Sequence, residues 1–237
     1  MSQKQIAGSL THLLGLASPP VALAYLDEPP PGTPRWDGGP VPSACTFWRR
    51  AESSVFFASA EDHMNCPVGA LTSGFTLGAE GERNLEAVIT RMTGAGYLAP
   101  PEPARIPRVG KTKAGVLYGP LAAFPDTPDL ILLWLDARQA MLFQEGSGDA
   151  RWDRPASMPA FGRPSCAALP VALADGRPVL SFGCAGMRTF TDLDDAKLLG
   201  VVPAAGAATL VAALEQTSAA NRAMQGMYDE MRAAHPG

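Results

Sequence analysis

A chain of 237 residues with a formal charge of −4 is long enough to bury one large core or two small ones. Its lysines and arginines form no cluster of the kind that phosphate neutralisation needs, so nucleic acid is excluded as an expected partner. The opening "MSQKQIAGSLTHLLGLASPP" lacks a signal peptide's uninterrupted apolar segment, and no stretch reaches the roughly 20 apolar residues of a membrane span, so a soluble, cytoplasmic protein without a membrane partner is expected.

Ile6, Leu10, Leu13 and Leu14 share one helical face, which predicts an amphipathic helix over 3–16 stopped by Pro19 and Pro20. "VALAYLD" (21–27) reads as a buried strand, the proline-rich "EPPPGTPRWDGGPVP" as loop, and "SVFFAS" (54–59) as a second strand. Leu85, Val88, Ile89 and Met92 mark a helix over about 82–93, ended by Gly94 and Gly96. "PDLILLWLD" (128–136) is the clearest strand, because its apolar run is too continuous for a half-exposed position. "ARQAMLFQEG" follows as a short helix with Asp136 as N-cap and Gly146 as stop, or alternatively as a hairpin return strand. "GRPVLSFGC" (176–184) is a further strand. Two C-terminal helices are expected, one carrying Leu210, Val211 and Leu214, the next Met224, Met227, Tyr228 and Met231.

The chain also resembles itself. "VALAYLD" matches "LILLWLD" at 130–136, and each is followed by a proline-serine-cysteine segment, ending at Cys45 in one half and Cys166 in the other. Each half then supplies a strand, a cysteine in a glycine-containing turn (Cys66 in "NCPVG", Cys184 in "GCAG") and a helix. Twenty residues separate Cys45 from Cys66 and 17 separate Cys166 from Cys184. The predicted fold is therefore an α/β single domain over 1–237. It holds two similar strand-cysteine-strand-cysteine-helix halves, about 21–98 and 130–218, joined by 99–129, related by a pseudo-twofold and accompanied by terminal helices.

Four cysteines in a reducing compartment are ligands, nucleophiles or packing rather than disulfides. If Pro67 is the first helical residue, Cys66 lies where free N–H groups lower a thiol pKa. The turns at Gly69 and Gly186 let the backbone approach a bulky anion. Thiolates from Cys45, Cys66, Cys166 and Cys184 would then hold a [4Fe-4S] cluster between the halves, used in electron transfer or cluster-dependent small-molecule chemistry. A tetrahedral zinc site in a structural or partner-binding domain competes with this reading. So does a metal-free small-molecule binding protein whose cysteines pack or touch substrate, since free cysteine is commonly buried. A small-molecule substrate or a redox partner protein are the partners these readings imply.

His63, three residues before Cys66, is a surface or N-cap neighbour unless it serves the site, where it would face substrate together with Arg188. Trp48 would shield an anionic centre, or else fill the core. Met64 and Met187 flank the turns and are read chiefly as core. The acidic "DLDDAK" (192–197) reads as a solvated helix start. No dinucleotide-binding, phosphate-loop, nucleophile-elbow or zinc-protease motif occurs.

The ordered set "ACTFW", "DHMNCPVGALTSG", "GYLAPPE", "VLYGPL", "PDLILLWLDARQAM", "GRPSCAALP" and "LSFGCAGMRTFT" resembles the uncharacterised prokaryotic family called domain of unknown function 169. The resemblance covers nearly the whole chain. It implies a single-domain prokaryotic protein and places the four cysteines among the family's recurrent motif positions.

Overall fold

Ser2 and Gln5 form a reciprocal capping box that opens the first helix, α1 (Gln3–Leu14), and Gly15 closes it at φ 66° in the left-handed region. In the computed structural model, which describes residues 1–110, 113–148, 158–161 and 163–235, the chain continues through β1 (Val21–Leu26), α2 (Cys45–Arg50) and β2 (Phe56–Ser59). Next come α3 (Pro67–Thr72), α4 (Gly78–Gly94), β3 (Gly115–Pro120), β4 (Leu130–Leu135) and α5 (Ala137–Gly146). It ends with β5 (Ala160–Phe161), α6 (Ala168–Asp175), β6 (Val179–Ser181), α7 (Ala185–Thr191), β7 (Leu198–Pro203) and α8 (Ala207–Ala234).

The strands form one mixed sheet in the order β2-β3-β1-β4-β7-β6-β5, antiparallel throughout except for the parallel β5–β6 edge. At its centre β1 and β4 pair only from Val21↔Leu132 to Leu23↔Leu130. Beyond that point Asp129 replaces the ladder: its carboxylate accepts from the Tyr25 N–H at 2.7 Å, and its own N–H donates to the Leu23 carbonyl at 2.9 Å.

Alternate side chains of each strand enter two separate cores, which explains why the strands read as continuous apolar runs. Ala22, Ala24, Ile131, Leu133 and Val202 face α1, α5 and α8, with Leu10, Phe143 and Leu214 filling that layer. Leu23, Tyr25, Tyr118, Leu132, Trp134 and Val201 face the opposite layer, where α2, α3, α6 and α7 contribute Phe47, Trp48, Ala70, Leu169 and Met187. The second layer carries all four cysteines. Helix α5 begins as anticipated: Asp136 caps it in a box with Gln139, whose amide also donates to the Gly15 carbonyl at 2.7 Å and ties α5 to the end of α1.

Several local expectations are corrected. The C-terminus is one 28-residue helix rather than two. Residues 192–197 start no helix: Asp192 ends α7 in the left-handed conformation at φ 51°, and the acidic segment is the turn into β7. Gly146 is the last residue of α5, where the helix was expected to stop, and an added Cβ there would come 2.6 Å from Leu214 Cδ2, so it also permits the close approach of α8. Among the described residues no helix is long and apolar enough to cross a membrane.

Candidate functional site

The four cysteines arrive from four different segments. Cys45 is the first residue of α2, Cys66 is the N-cap of α3 with Pro67 at the first helical position, and Cys184 is the N-cap of α7. Cys166 sits in the short 3-10 turn Ser165–Ala167 that leads into α6. All four line one cavity of about 510 Å³. Cys45 and Cys166 are 4% and 8% exposed, whereas Cys66 and Cys184 are half-buried. The Cys184 sulfur accepts from the Met187 N–H at 3.5 Å.

Burial decides the chemistry of the two inner thiols. It pushes the Cys45 thiol well above its ordinary value, and the neighbouring Cys166, Cys184 and Cys66 push it further. The Cys166 thiol is pushed up to about 12, by burial first and by Cys66 next, with a hydrogen bond from Thr72 pulling the other way. Both therefore keep their protons at neutral pH.

The arrangement of the side chains corrects the expected iron-sulfur centre. Among the described residues, no group of three or more His, Cys, Asp or Glu side chains is arranged to hold a metal ion. Cys45, Cys66, Cys166 and Cys184 share a cavity wall without converging as a ligand set.

The other anticipated site residues separate. His63 is fully buried and does not line the cavity. Its Nδ1 lies 2.7 Å from the Ser59 carbonyl, which only accepts, so Nδ1 carries the proton and Nε2 accepts from the Tyr118 hydroxyl at 2.9 Å. The Phe47 and Phe75 rings pack on it at 4.7 and 5.0 Å, and burial lowers its pKa to about 4. Arg188 staples a turn: its guanidinium donates to the carbonyls of Phe182, Asp195 and Lys197 at 2.5, 2.9 and 3.2 Å. Trp48 is core, packed on Trp134 at 6.4 Å.

Gly69 holds α3 close to the start of α2, since an added Cβ would meet Ala44 Cβ at 2.7 Å and the Cys66 sulfur at 2.9 Å. Gly186 lines the cavity, with its nearest such neighbour, Phe190, at 4.0 Å.

The rest of the cavity wall comes from residues that the sequence did not mark as site residues. Val88, Ile89 and Met92, which marked a helix in the sequence, line the cavity from α4. Tyr97, Glu102, Arg105 and Arg163 form its charged and aromatic part, and Ser165 lies beside Cys166. The signal for these residues was the apolar stripe of α4 and the segment "GRPSC", both visible in the sequence without their tertiary partner.

No curated protein and no solved structure matches the chain. A family model does: that of domain of unknown function 169, described as an uncharacterised ArCR, matches residues 9–213. The matched region runs from α1 into the buried part of α8 and includes all four cysteine segments, so the chain belongs to the DUF169 family.

Proposed function

We propose that this protein binds a small, predominantly apolar molecule in the cysteine-lined cavity. The observation that carries this reading is the orientation of α4. Of its 17 residues only Gly81 is buried, yet its apolar stripe is spent on the cavity through Val88, Ile89 and Met92 rather than on either core. An amphipathic helix gains its stability by burying such a stripe, and a ligand between α4 and the body completes that burial at about 25 cal/mol per Å². The volume falls in the range of small-molecule sites. Thiols and thioethers, with Met92 and Met187 beside the cysteines, give the wall a soft, adaptable character suited to an apolar guest.

The test is a titration with Nile red, a neutral apolar dye. Saturable binding at one site per chain is expected, reduced at least tenfold by Ile89→Asp, a change on a helix face that no core residue covers. A dye signal that does not saturate, or that Ile89→Asp leaves intact in a protein with unchanged circular dichroism, would sink the reading.

We further infer that the chain holds two duplicated halves of one domain, related by a pseudo-twofold between β1 and β4, the first running from residue 21 through β3 to residue 120 rather than ending at 98, the second beginning at residue 130. Two features support this: the neighbour sequence β1-β3-β2 has its counterpart in β4-β7-β6, and Cys66 and Cys184 are N-caps of the helices that follow β2 and β6. A superposition that fails to align the strands in these pairs would remove the inference. Two separate calorimetric transitions would argue against a single domain.

A further inference from the structure

The consecutive residues Arg163, Pro164, Ser165 and Cys166 all line the cavity, and they pass from its rim to its floor. The Arg163 side chain is 42% exposed, Pro164 is half-buried, and Ser165 and Cys166 are 0% and 8% exposed. Along this wall the chemistry changes from a guanidinium, through a ring, to a hydroxyl and a thiol.

Two features of the wall call for a ligand of particular composition. The first is the Ser165 hydroxyl, a buried polar atom that has no hydrogen-bond partner among the described residues. Leaving such a group unpaired leaves its desolvation cost uncompensated, and buried polar groups in native proteins are nearly all paired. A guest's oxygen atom in the cavity would supply the partner.

The second feature is charge. Among the described residues the charged ones lining the cavity are Arg105, Arg163 and Glu102, a net positive set. The Glu102 carboxylate accepts from the Ala99 N–H at 2.6 Å and lies 3.9 Å from Arg163, at the edge of ion-pair range, so it balances only part of the positive charge. The Arg163 guanidinium lies over the Tyr97 ring at 4.6 Å. Stacking on a ring face holds the guanidinium plane while leaving its edge donors for a carboxylate.

We propose, building on the small-molecule reading above, that the ligand is an anionic amphiphile. Its acidic group is received at the rim by Arg163 and Arg105, its apolar body lies against α4 and the sulfurs, and an uncharged oxygen at its inner end pairs with the Ser165 hydroxyl. Binding is non-covalent and Ser165 sets specificity. A purely apolar guest leaves that hydroxyl unpaired, as does an acid lacking the inner oxygen, and such omissions are what buried polar groups discriminate against most strongly.

Two fluorescent probes of the same skeleton isolate each end: 6-hydroxy-2-naphthoate and 2-naphthoate, titrated into the full chain alongside neutral Nile red. The hydroxylated acid is expected to bind about tenfold tighter, the worth of one good hydrogen bond. Ser165→Ala should erase that preference, leave 2-naphthoate unchanged, and not lower the melting temperature of the unliganded protein, because the hydroxyl it removes has no partner there. Arg163→Gln and Arg105→Gln should each weaken both acids severalfold and reduce the salt dependence of binding while sparing Nile red. Equal affinity of the two acids, a preference that survives Ser165→Ala, or acid binding indifferent to both arginine changes would overturn the proposal. If Nile red still binds in those cases, the small-molecule reading stands and only the ligand class is wrong. If neither Nile red nor the acids bind, both fall.

Discussion

The Nε2 atom of His63 and the hydroxyl of Tyr118 lie 2.9 Å apart, joining the 3-10 turn after β2 to the middle of β3 inside a cluster of aromatic rings. The imidazole is neutral because burial lowers its pKa to about 4, and Nδ1 is committed to the Ser59 carbonyl. The pair is a structural clasp beneath the cavity wall rather than a group in contact with a guest.

A pH dependence of stability follows, and its sign is fixed by that pKa. The folded-state value lies below the ordinary 6.5, so between about pH 6.5 and 4 the unfolded chain binds more protons at this position than the folded one. The contribution of His63 is fully present above pH 6.5 and is lost as pH falls through 4. A tenfold difference in proton affinity between the folded and unfolded chain is worth about 1.4 kcal/mol, so the loss should reach about 3 kcal/mol. Urea denaturation of wild type and His63→Gln across this window measures it: the gap between them should be widest at pH 7 and narrow by that amount near pH 4. Parallel curves would mean that the histidine titrates as if exposed.

His63 also marks where the sequence stopped being informative. Its neighbours suggested a surface or site histidine, and only the packing of Phe47, Phe75 and Tyr118 around it, from distant segments, makes it core. The strands β1 and β4 were legible because both faces of the sheet are buried and their apolar runs are unbroken. Strands β3 and β7, "GVLYGP" and "LLGVVP", carry glycine and end in proline, and this punctuation hid them. Helix α8 was read as two because the polar stretch 215–222 interrupts its apolar pattern, yet a helix leaving the body of the protein needs no buried face there. The internal similarity did mark the four cysteines that line the cavity. Their mutual arrangement is set by tertiary packing, which no spacing encodes, and so the metal expectation failed. Ser165 was invisible for the same reason: a missing partner is a tertiary property.

Gly69 and Gly186 were expected to play like roles and should respond oppositely to alanine. At Gly69 the new methyl would meet Ala44 and the Cys66 sulfur inside 3 Å, so α2 and α3 must separate, at a cost of about 1–3 kcal/mol. At Gly186, within α7, the methyl meets only the Phe190 ring at 4.0 Å, an ordinary contact, and the gain in helix propensity is about 0.5–1 kcal/mol. Chemical denaturation of the two single variants distinguishes them; equal losses would show that the cavity wall at Gly186 is tighter than described.

Thiol accessibility tests the protonation argument directly. Iodoacetamide at pH 8, followed by mass spectrometry of peptides, should modify Cys66 and Cys184 in the native protein at least tenfold faster than Cys45 and Cys166. The inner pair is buried and held protonated, and the thiolate is the reactive form. In denaturant all four should react at similar rates. Saturation with 6-hydroxy-2-naphthoate should slow Cys66 and Cys184, because they share the cavity wall. Early modification of Cys45 would contradict both its burial and its raised pKa.

Helix α8 should prove to be two parts in energy although it is one in structure. Its buried residues end at Ser218, whose hydroxyl donates to the Leu13 carbonyl at 3.2 Å, and Asn221 makes the last tie to the body through Glu145 at 2.7 Å. Beyond it Met224, Met227, Tyr228 and Met231 are 42–55% exposed. Removing residues 223–237 deletes no core contact, so stability in urea should change by no more than about 0.5 kcal/mol. Leu214→Ala, one helical turn before Ser218, should cost about 2–5 kcal/mol, because Leu214 fills the space opposite Gly146 and the cavity it leaves is enclosed by α5. A truncation as damaging as Leu214→Ala would mean that the exposed methionine face is covered in solution.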